Sequence, residues 1–378
     1  MTQSTSPWEV LKEKLTIENG PWVGFLGYEM GAFSQPDKVL PHHVAKTPDA
    51  YFQRCAFVLT VDHSSNTATV EILEHDGSNE WLKTLAQRSF WENLSEVGLK
   101  KNPHTYAVNA SESNACYVRK VNEAKELIDA GEIYQVNLSR EIGFSTDMHP
   151  FYLFQMLSEK NPAPFSCYMQ TPYCTIVSSS PERFLKKEGS RLETRPIKGT
   201  APRGTIKEED ERNRNMLLKS VKENAELLMI TDLMRNDLGK ISLPGSVKVE
   251  KLFHIEAYSN VFHLSSIVSS EVNEEQHPVD IVRSCFPGGS ITGCPKLRAM
   301  EVIHDLEKRS RGIYTGSIGY FAANGDFDFN IAIRSVVFSD ECASLQLGSG
   351  IVADSSAQKE YEETLYKGET VFKVLDDF

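Results

Sequence analysis

The sequence predicts an α+β fold in which largely antiparallel sheets are covered by helices on the outside. Three observations carry that expectation: short segments of alternating apolar and polar residues recur along the chain, helical stretches interrupt them at irregular intervals, and the regular strand–helix–strand beat of a doubly wound sheet is missing. Within residues 21–75, WVGFLGYEMGAF, YFQRCAFVLTVD and TATVEILEHD combine alternation with β-branched and aromatic residues and read as strands of hairpins. Residues 78–98, with Trp81, Leu82, Leu85, Phe90 and Trp91, read as helical and lead into the polar segment GLKKNPHTYAVNASESN. That segment is the expected boundary between a β-rich N-terminal region, residues 1–104, and a core, residues 105–378. Residues 113–131 read as a helix: Ser113 or Asn114 caps it, Tyr117, Val121, Ala124 and Ile128 form its apolar stripe, and Gly131 stops it. The strand IYQVNLSREIGF follows. Beyond it TIVSSSPERFL, VFHLSSIVSS, GIYTGSIGYFAA, DFNIAIRSVVF and SLQLGSGIV read as strands, with helices near 150–159, 208–234, 278–284, 295–308 and 356–376.

Composition excludes several function classes. The 378 residues are 40% hydrophobic and 24% charged, as in an ordinary globular protein, and admit two domains or one elaborated domain. No run of eighteen apolar residues occurs and the first residues, MTQSTSPWEVLKEKL, lack an apolar core flanked by basic residues. Neither a membrane span nor a secretory leader is expected, and a cytoplasmic location is. Cys55, Cys116, Cys167, Cys174, Cys285, Cys294 and Cys342 are scattered and never spaced CxxC, which argues against a disulfide framework or a zinc site. A net charge of -12 argues against a nucleic-acid partner. A small anionic substrate is compatible with it where basic groups are concentrated locally.

Two glutamate pairs stand out. Glu223 with Glu226, and Glu360 with Glu363, are three residues apart in helical segments, so each pair shares a helix face. Four carboxylates around one cavity call for a cation, and oxygen-only ligands without a nearby histidine favour Mg2+. The same spacing also suits solvated acidic faces. The loop FPGGSITGCPKLRAMEVI, with Ser290 and a following helix start, can present backbone N–H groups to an anion, with Lys296 and Arg298 adding positive charge; it can equally be a tight turn before a capped helix. Arg334 in FNIAIRSVVF projects from an apolar strand and requires a carboxylate, from a side chain or a ligand. Gly348, Gly350 and Tyr314 offer close backbone approach and a phenolic donor. Lys198 in TRPIKGTAPRG sits in a turn with Arg195, Pro196, Gly199, Thr200 and Arg203. It is a nucleophile if Arg195 and a divalent ion favour its uncharged amine, and otherwise a surface-loop lysine. Glu182 in SSSPERF is a general acid or base, or a loop carboxylate paired with Arg183.

In order, IYQVNLSR, SPERFL, TRPIKGTAPRG, ENAELLMITDLMRNDLGK, FHLSS, PGGSITGCPKLRAMEVI, RGIYTGSIGYF, FNIAIRS and GSGIVADSSAQKEYEET resemble the chorismate-utilising enzyme family. The resemblance is strong from about residue 105 onward and weak over residues 20–75. It implies two antiparallel sheets packed as a sandwich with helices outside. Isochorismate and salicylate synthases carry a lysine base where this chain has Gln135, and anthranilate synthases carry alanine where it has Lys198; PIKGT is the form of the aminodeoxychorismate synthases. For that branch the resemblance implies that Lys198 attacks C2 of chorismate, that Glu182 serves as acid and base, and that ammonia from a glutamine amidotransferase subunit adds at C4. The product, 4-amino-4-deoxychorismate, leads to 4-aminobenzoate and folate. It further implies Glu226 and Glu363 as main Mg2+ ligands, with Glu223 and Glu360 holding the ion directly or through water. Tyr314, Arg334 and the Gly350 backbone would hold substrate oxygens, with His263 and Ser290 in the pocket and Thr200 near the ring; Lys296 is counted with the substrate-binding residues for its charge at the glycine loop.

Two departures qualify the resemblance. Relatives begin several dozen residues earlier, with a segment that helps form a tryptophan pocket beside the motif here written WVGFLGYEMG, so a regulatory tryptophan site is not expected. Cys294 replaces the alanine of a GAPK motif. The alternatives that stay open are an anthranilate synthase component I and a catalytically silent chorismate-binding subunit.

Overall fold

The computed structural model describes residues 6–35, 37–73, 84, 87, 105–339 and 342–376. In chain order its strands are β1 (Trp22–Leu26), β2 (Ala50–Arg54), β3 (Phe57–Asp62), β4 (Thr67–Ile72), β5 (Tyr106–Ser111), β6 (Gln135–Thr146), β7 (Phe165–Gln170), β8 (Thr175–Ser180) and β9 (Arg183–Glu188). They continue with β10 (Arg191–Arg195), β11 (Ile197–Pro202), β12 (Lys248–Ala257), β13 (Val261–Glu271), β14 (Gly293–Cys294), β15 (Ser317–Phe321), β16 (Phe327–Asn330), β17 (Ser335–Ser339) and β18 (Cys342–Ile351). The helices are α1 (Pro7–Lys14), α2 (Asn114–Asp129), α3 (Pro150–Lys160), α4 (Lys207–Leu218), α5 (Val221–Gly239), α6 (Pro278–Cys285), α7 (Lys296–Glu307) and α8 (Ala357–Asp376).

Two large antiparallel sheets organise these elements, as expected. One runs β11–β13–β10–β9–β16–β15–β1–β2 with β12 also on β13; the other runs β14–β6–β18–β17–β8–β7 with β5 also on β6; β3 and β4 form a separate hairpin. Strands β10 and β11 lie end to end along one edge of β13, because both pair with it while β12 takes its opposite edge. The sheets share one core: Val136 and Leu138 of β6 belong to the same apolar cluster as Phe184 and Leu185 of β9 and Phe327 and Phe329 of β16. Ile230 and Met234 of α5 and Ala299 and Ile303 of α7 close that cluster. A second cluster packs Val371, Val374 and Leu375 of α8 and Leu153 and Leu157 of α3 against Leu345 and Leu347 of β18.

Several local expectations change in the structure. The helix expected at 78–98 lies outside the described residues, apart from two isolated positions. The polar segment read as a boundary contains β5, which pairs with β6, and β1 pairs with β15, so residues on both sides of the expected division share sheets. The helix expected over 208–234 is two helices, α4 and α5, because Ser220 starts a new one: its hydroxyl accepts the Glu223 backbone N–H at 3.3 Å. In contrast the Ser113 cap is as read, accepting from the Cys116 N–H. The strand expected through FNIAIRSVVF breaks: β16 belongs to one sheet and β17 to the other, and Arg334, between them, takes a left-handed φ of 51°. The chain passes from one sheet to the other at that bend, which the β-branched neighbours conceal.

Candidate active site

A cavity of about 360 Å³ opens where the two sheets meet α5 and α8. It is lined from β11 by Lys198 and Thr200, from β13 by His263, from β18 by Gly350, from α5 by Glu223 and Glu226, and from α8 by Glu363. Glu182, Ser290, Tyr314 and Arg334 reach it from connecting segments. Of the candidate residues, Glu360, Lys296 and the supporting Arg195, Arg203 and Arg298 do not line it, Arg298 pairing instead with Glu132 and Glu301, while the others converge on it.

Lys198 lies in a strand edge, not in the turn expected for it. The register of β11 against β13 shifts between Ile197 and Thr200, and Gly199 takes φ +78°, so the strand bulges at the lysine. A methyl group on Gly199 would lie 2.9 Å from Glu223 Oε2, which shows how closely β11 approaches α5. Among the described residues the Lys198 ammonium has no hydrogen-bond or ion-pair partner. A methyl group on Gly350 would sit 3.6 Å from its Nζ, so the absence of a side chain there leaves space in front of the amine. Arg195, expected beside Lys198, instead turns its Nε to Glu193 at 2.6 Å.

Glu182 is buried and is not paired with Arg183, whose guanidinium goes to Asp328 and Glu193. Burial raises the Glu182 pKa above its ordinary value, and the Ser290 hydroxyl and the charge of Lys198 oppose that rise without cancelling it. One of its oxygens, Oε1, has no partner within the described residues. A carboxyl group that favours its proton and faces an amine is suited to proton transfer.

His263 is equally buried; Thr200 Oγ1 lies 2.9 Å from its Nδ1. Burial, reinforced by the charge of Arg334, lowers its pKa to about 4, so the ring is neutral near pH 7. Burial also depresses the Arg334 pKa, and its guanidinium has no hydrogen-bond or ion-pair partner among the described residues. An unpaired guanidinium in a cavity wall is suited to receiving an anion. Burial raises the Tyr314 pKa to about 12, which keeps its hydroxyl protonated as a donor. A methyl group on Gly348 would fall 2.6 Å from that hydroxyl.

The acidic residues divide. Glu223 has its pKa raised by burial and then by the charge of Glu226, with Glu363 adding to it, which marks all three as neighbours. Burial also works to raise the Glu363 pKa, but Lys367, at 2.7 Å from Glu363 Oε1, outweighs it and holds the group below its ordinary value. Glu360 is buried behind the cavity wall, where its Oε1 accepts the Ser355 hydroxyl at 2.7 Å. Lys296 is a structural cation: its ammonium spends three protons on Asp237 and the carbonyls of Cys285 and Pro287, pinning the start of α7 to the end of α5. It does not face the cavity.

Among the described residues no three His, Cys, Asp or Glu side chains are grouped so as to hold a metal by themselves. The donor set nonetheless fits Mg2+ bound through one or two carboxylates plus substrate oxygens, because Glu223, Glu226 and Glu363 supply only oxygen and repel one another. Three further residues escaped the sequence reading: Lys222, Lys367 and Asn137 also line the cavity. Gln135, noted in the sequence only as the place of a lysine base in other branches, is fully buried and leaves both amide atoms unpartnered beside Gly350. The lysines had a signal: each stands four residues from a glutamate on its own helix, at Glu226 and Glu363.

The family model for chorismate binding enzymes matches residues 2–373. The chain is 38% identical over 365 residues to aminodeoxychorismate synthase component 1 of Bacillus subtilis, covering 94% of this chain and 77% of that protein. It is 36% identical over 373 residues to anthranilate synthase component 1 of Acetivibrio thermocellus, covering 95% and 76%. Among solved structures, anthranilate synthase component I from Streptococcus pneumoniae superposes with a TM-score of 0.83 at 29% identity, covering 97% of this chain and 86% of that one.

Proposed function

The chain belongs to the chorismate binding enzyme family, and from that premise we propose that it acts as an aminodeoxychorismate synthase component I, turning chorismate and ammonia into 4-amino-4-deoxychorismate. The observation that carries the reading is the unpartnered Lys198 amine opening onto the same cavity as the buried, proton-favouring Glu182. A relative with an alanine at that point would have no nucleophile to offer.

The chemistry proceeds in two displacements. Once the Lys198 ammonium has given up a proton to solvent, its amine bonds to C2 of the chorismate ring; the two ring double bonds shift, the C4–O bond breaks, and Glu182 gives its proton to the departing hydroxyl, which leaves as water. The new ammonium on C2 loses a proton to regenerate an amine. Ammonia then bonds to C4, the double bonds shift back, the C2–N bond to Lys198 breaks, and a proton returns to the lysine nitrogen. Arg334 and the Tyr314 hydroxyl orient the substrate's anionic oxygens, and neutral His263, with Thr200, shapes the ring pocket without adding charge. Glu226 and Glu363, with Glu223 beside them, would hold Mg2+, which when bound would supply positive charge toward the ring carboxylate. Glu360, bonded to Ser355, supports that acidic wall from behind.

The ammonia comes from a glutamine amidotransferase partner, in keeping with the component 1 designation of the relatives. Among the described residues no helix is long and apolar enough to cross a membrane. We place the reaction in the cytoplasm, on the route to 4-aminobenzoate and folate. The deciding experiment incubates the purified chain with chorismate, Mg2+ and ammonium and identifies the product by mass spectrometry. Aminodeoxychorismate is expected; fluorescent anthranilate with released pyruvate would assign the anthranilate reaction instead, and unchanged chorismate would leave a binding subunit.

A further inference from the structure

Helices α5 and α8 each bring a lysine into the acidic wall of the cavity, and the two are held differently. Lys367 is anchored: its ammonium meets Glu363 Oε1 at 2.7 Å and donates to the Gly348 carbonyl at 2.8 Å. Lys222 is loose. Its Nζ stands 3.8 Å from Glu226 Oε1, its side chain is 54% exposed, and among the described residues it has no hydrogen bond. Yet Glu226, Glu360, Glu223 and Glu363 all attract its charge. A long, flexible cation with one distant contact to a carboxylate at the cavity mouth can move to solvent without breaking anything else.

We propose that Lys222 is a tethered counter-ion that shares the Glu226 carboxylate with the divalent cation and is displaced when that cation binds. The inference rests on the metal-site part of the function proposed above. Without Lys222, Glu223, Glu226 and Glu363 would face one another with Lys367 on Glu363, and Lys198 on Glu223 and Glu363, as their compensation. With it, part of their charge is already neutralised, so a divalent ion gains less on entering alone. A substrate carboxylate, adding its own oxygens to the ion, tips the exchange, and metal and substrate enter as a pair. Lys222 is a positioning residue in this scheme, acting on the ion through Glu226.

The test is metal affinity in the absence of chorismate, read as free Mn2+ by electron paramagnetic resonance. Removing a unit charge next to Glu226 should tighten Mn2+ binding about tenfold in Lys222→Met, while Lys222→Arg, which keeps the charge, should match the wild type. Lys222→Gln gives the same reading should the methionine variant fail to fold. Equal or weaker Mn2+ binding by both neutral variants, or no binding by any of the proteins, overturns the proposal. Product identity with the wild type is scored separately: loss of the aminodeoxychorismate reading by that assay leaves the Mn2+ comparison intact.

Discussion

In the proposed reaction Lys198 and Glu182 act as a pair, since a nucleophile without a proton donor would not expel the C4 hydroxyl. Lys198→Ala is expected to abolish the mass increase that chorismate produces on the wild-type protein when ammonia is withheld; a wild type that stays unmodified yet makes aminodeoxychorismate once ammonia is added would rule out the covalent route. A second residue-scale prediction concerns His263. Its pKa falls from 6.5 to about 4 on folding, so the unfolded chain takes up the proton first as the pH drops. The stabilisation is complete above pH 6.5 and is lost as the pH falls through 6.5 toward 4. Between pH 7.5 and 5 the wild type should lose roughly 2 kcal/mol more than His263→Gln, measured by urea unfolding at both values. These residues were legible as types in motifs, but their partners were not. Arg183, beside Glu182, and Arg195, three residues before Lys198, both turn to Glu193, a partner that neither motif announces.

At the scale of elements, the bulge at Gly199 does two things at once: it aims Lys198 into the cavity and brings β11 against α5. Gly199→Ala would force an alanine to φ +78° and set its methyl 2.9 Å from Glu223 Oε2. A destabilisation of about 1 to 2 kcal/mol is expected, together with a loss of turnover larger than that of a surface glycine such as Gly189, where the same methyl meets nothing within 4 Å. Helices with a clear cap and stripe, α2 above all, were readable because cap and stripe are local. The break between α4 and α5 was less readable, since both flanks are strong helix formers and only Ser220 signals the restart. Lys296 misled for a related reason. Its place beside a glycine loop matches an anion site, but Asp237, fifty-nine residues away in sequence, is what claims it. Such a long-range claim leaves no mark on the lysine's own segment.

For the molecule as a whole, an α+β architecture of antiparallel sheets could be anticipated from strands and helices in irregular order and its two-sheet arrangement from the family resemblance, while the order of strands within each sheet could not. Strand β13 illustrates the reason: it pairs with β10, β11 and β12, and nothing in VFHLSSIVSS states which edge takes which partner. The cavity wall draws on both sheets and two helices, so a ligand occupying it contacts elements that otherwise meet through the shared core. Chorismate at a hundred times its Kd should therefore raise the unfolding free energy by about 2.7 kcal/mol, seen as a higher melting temperature in calorimetry. No shift at saturating chorismate would mean that the ligand does not use this cavity. The left-handed bend at Arg334 carries the point further. Because that residue lies at one of the chain's passages from one sheet to the other, whatever anion grips its guanidinium also rivets the seam there, and amide protons of β16 and β17 should exchange more slowly in unison once the rivet is set.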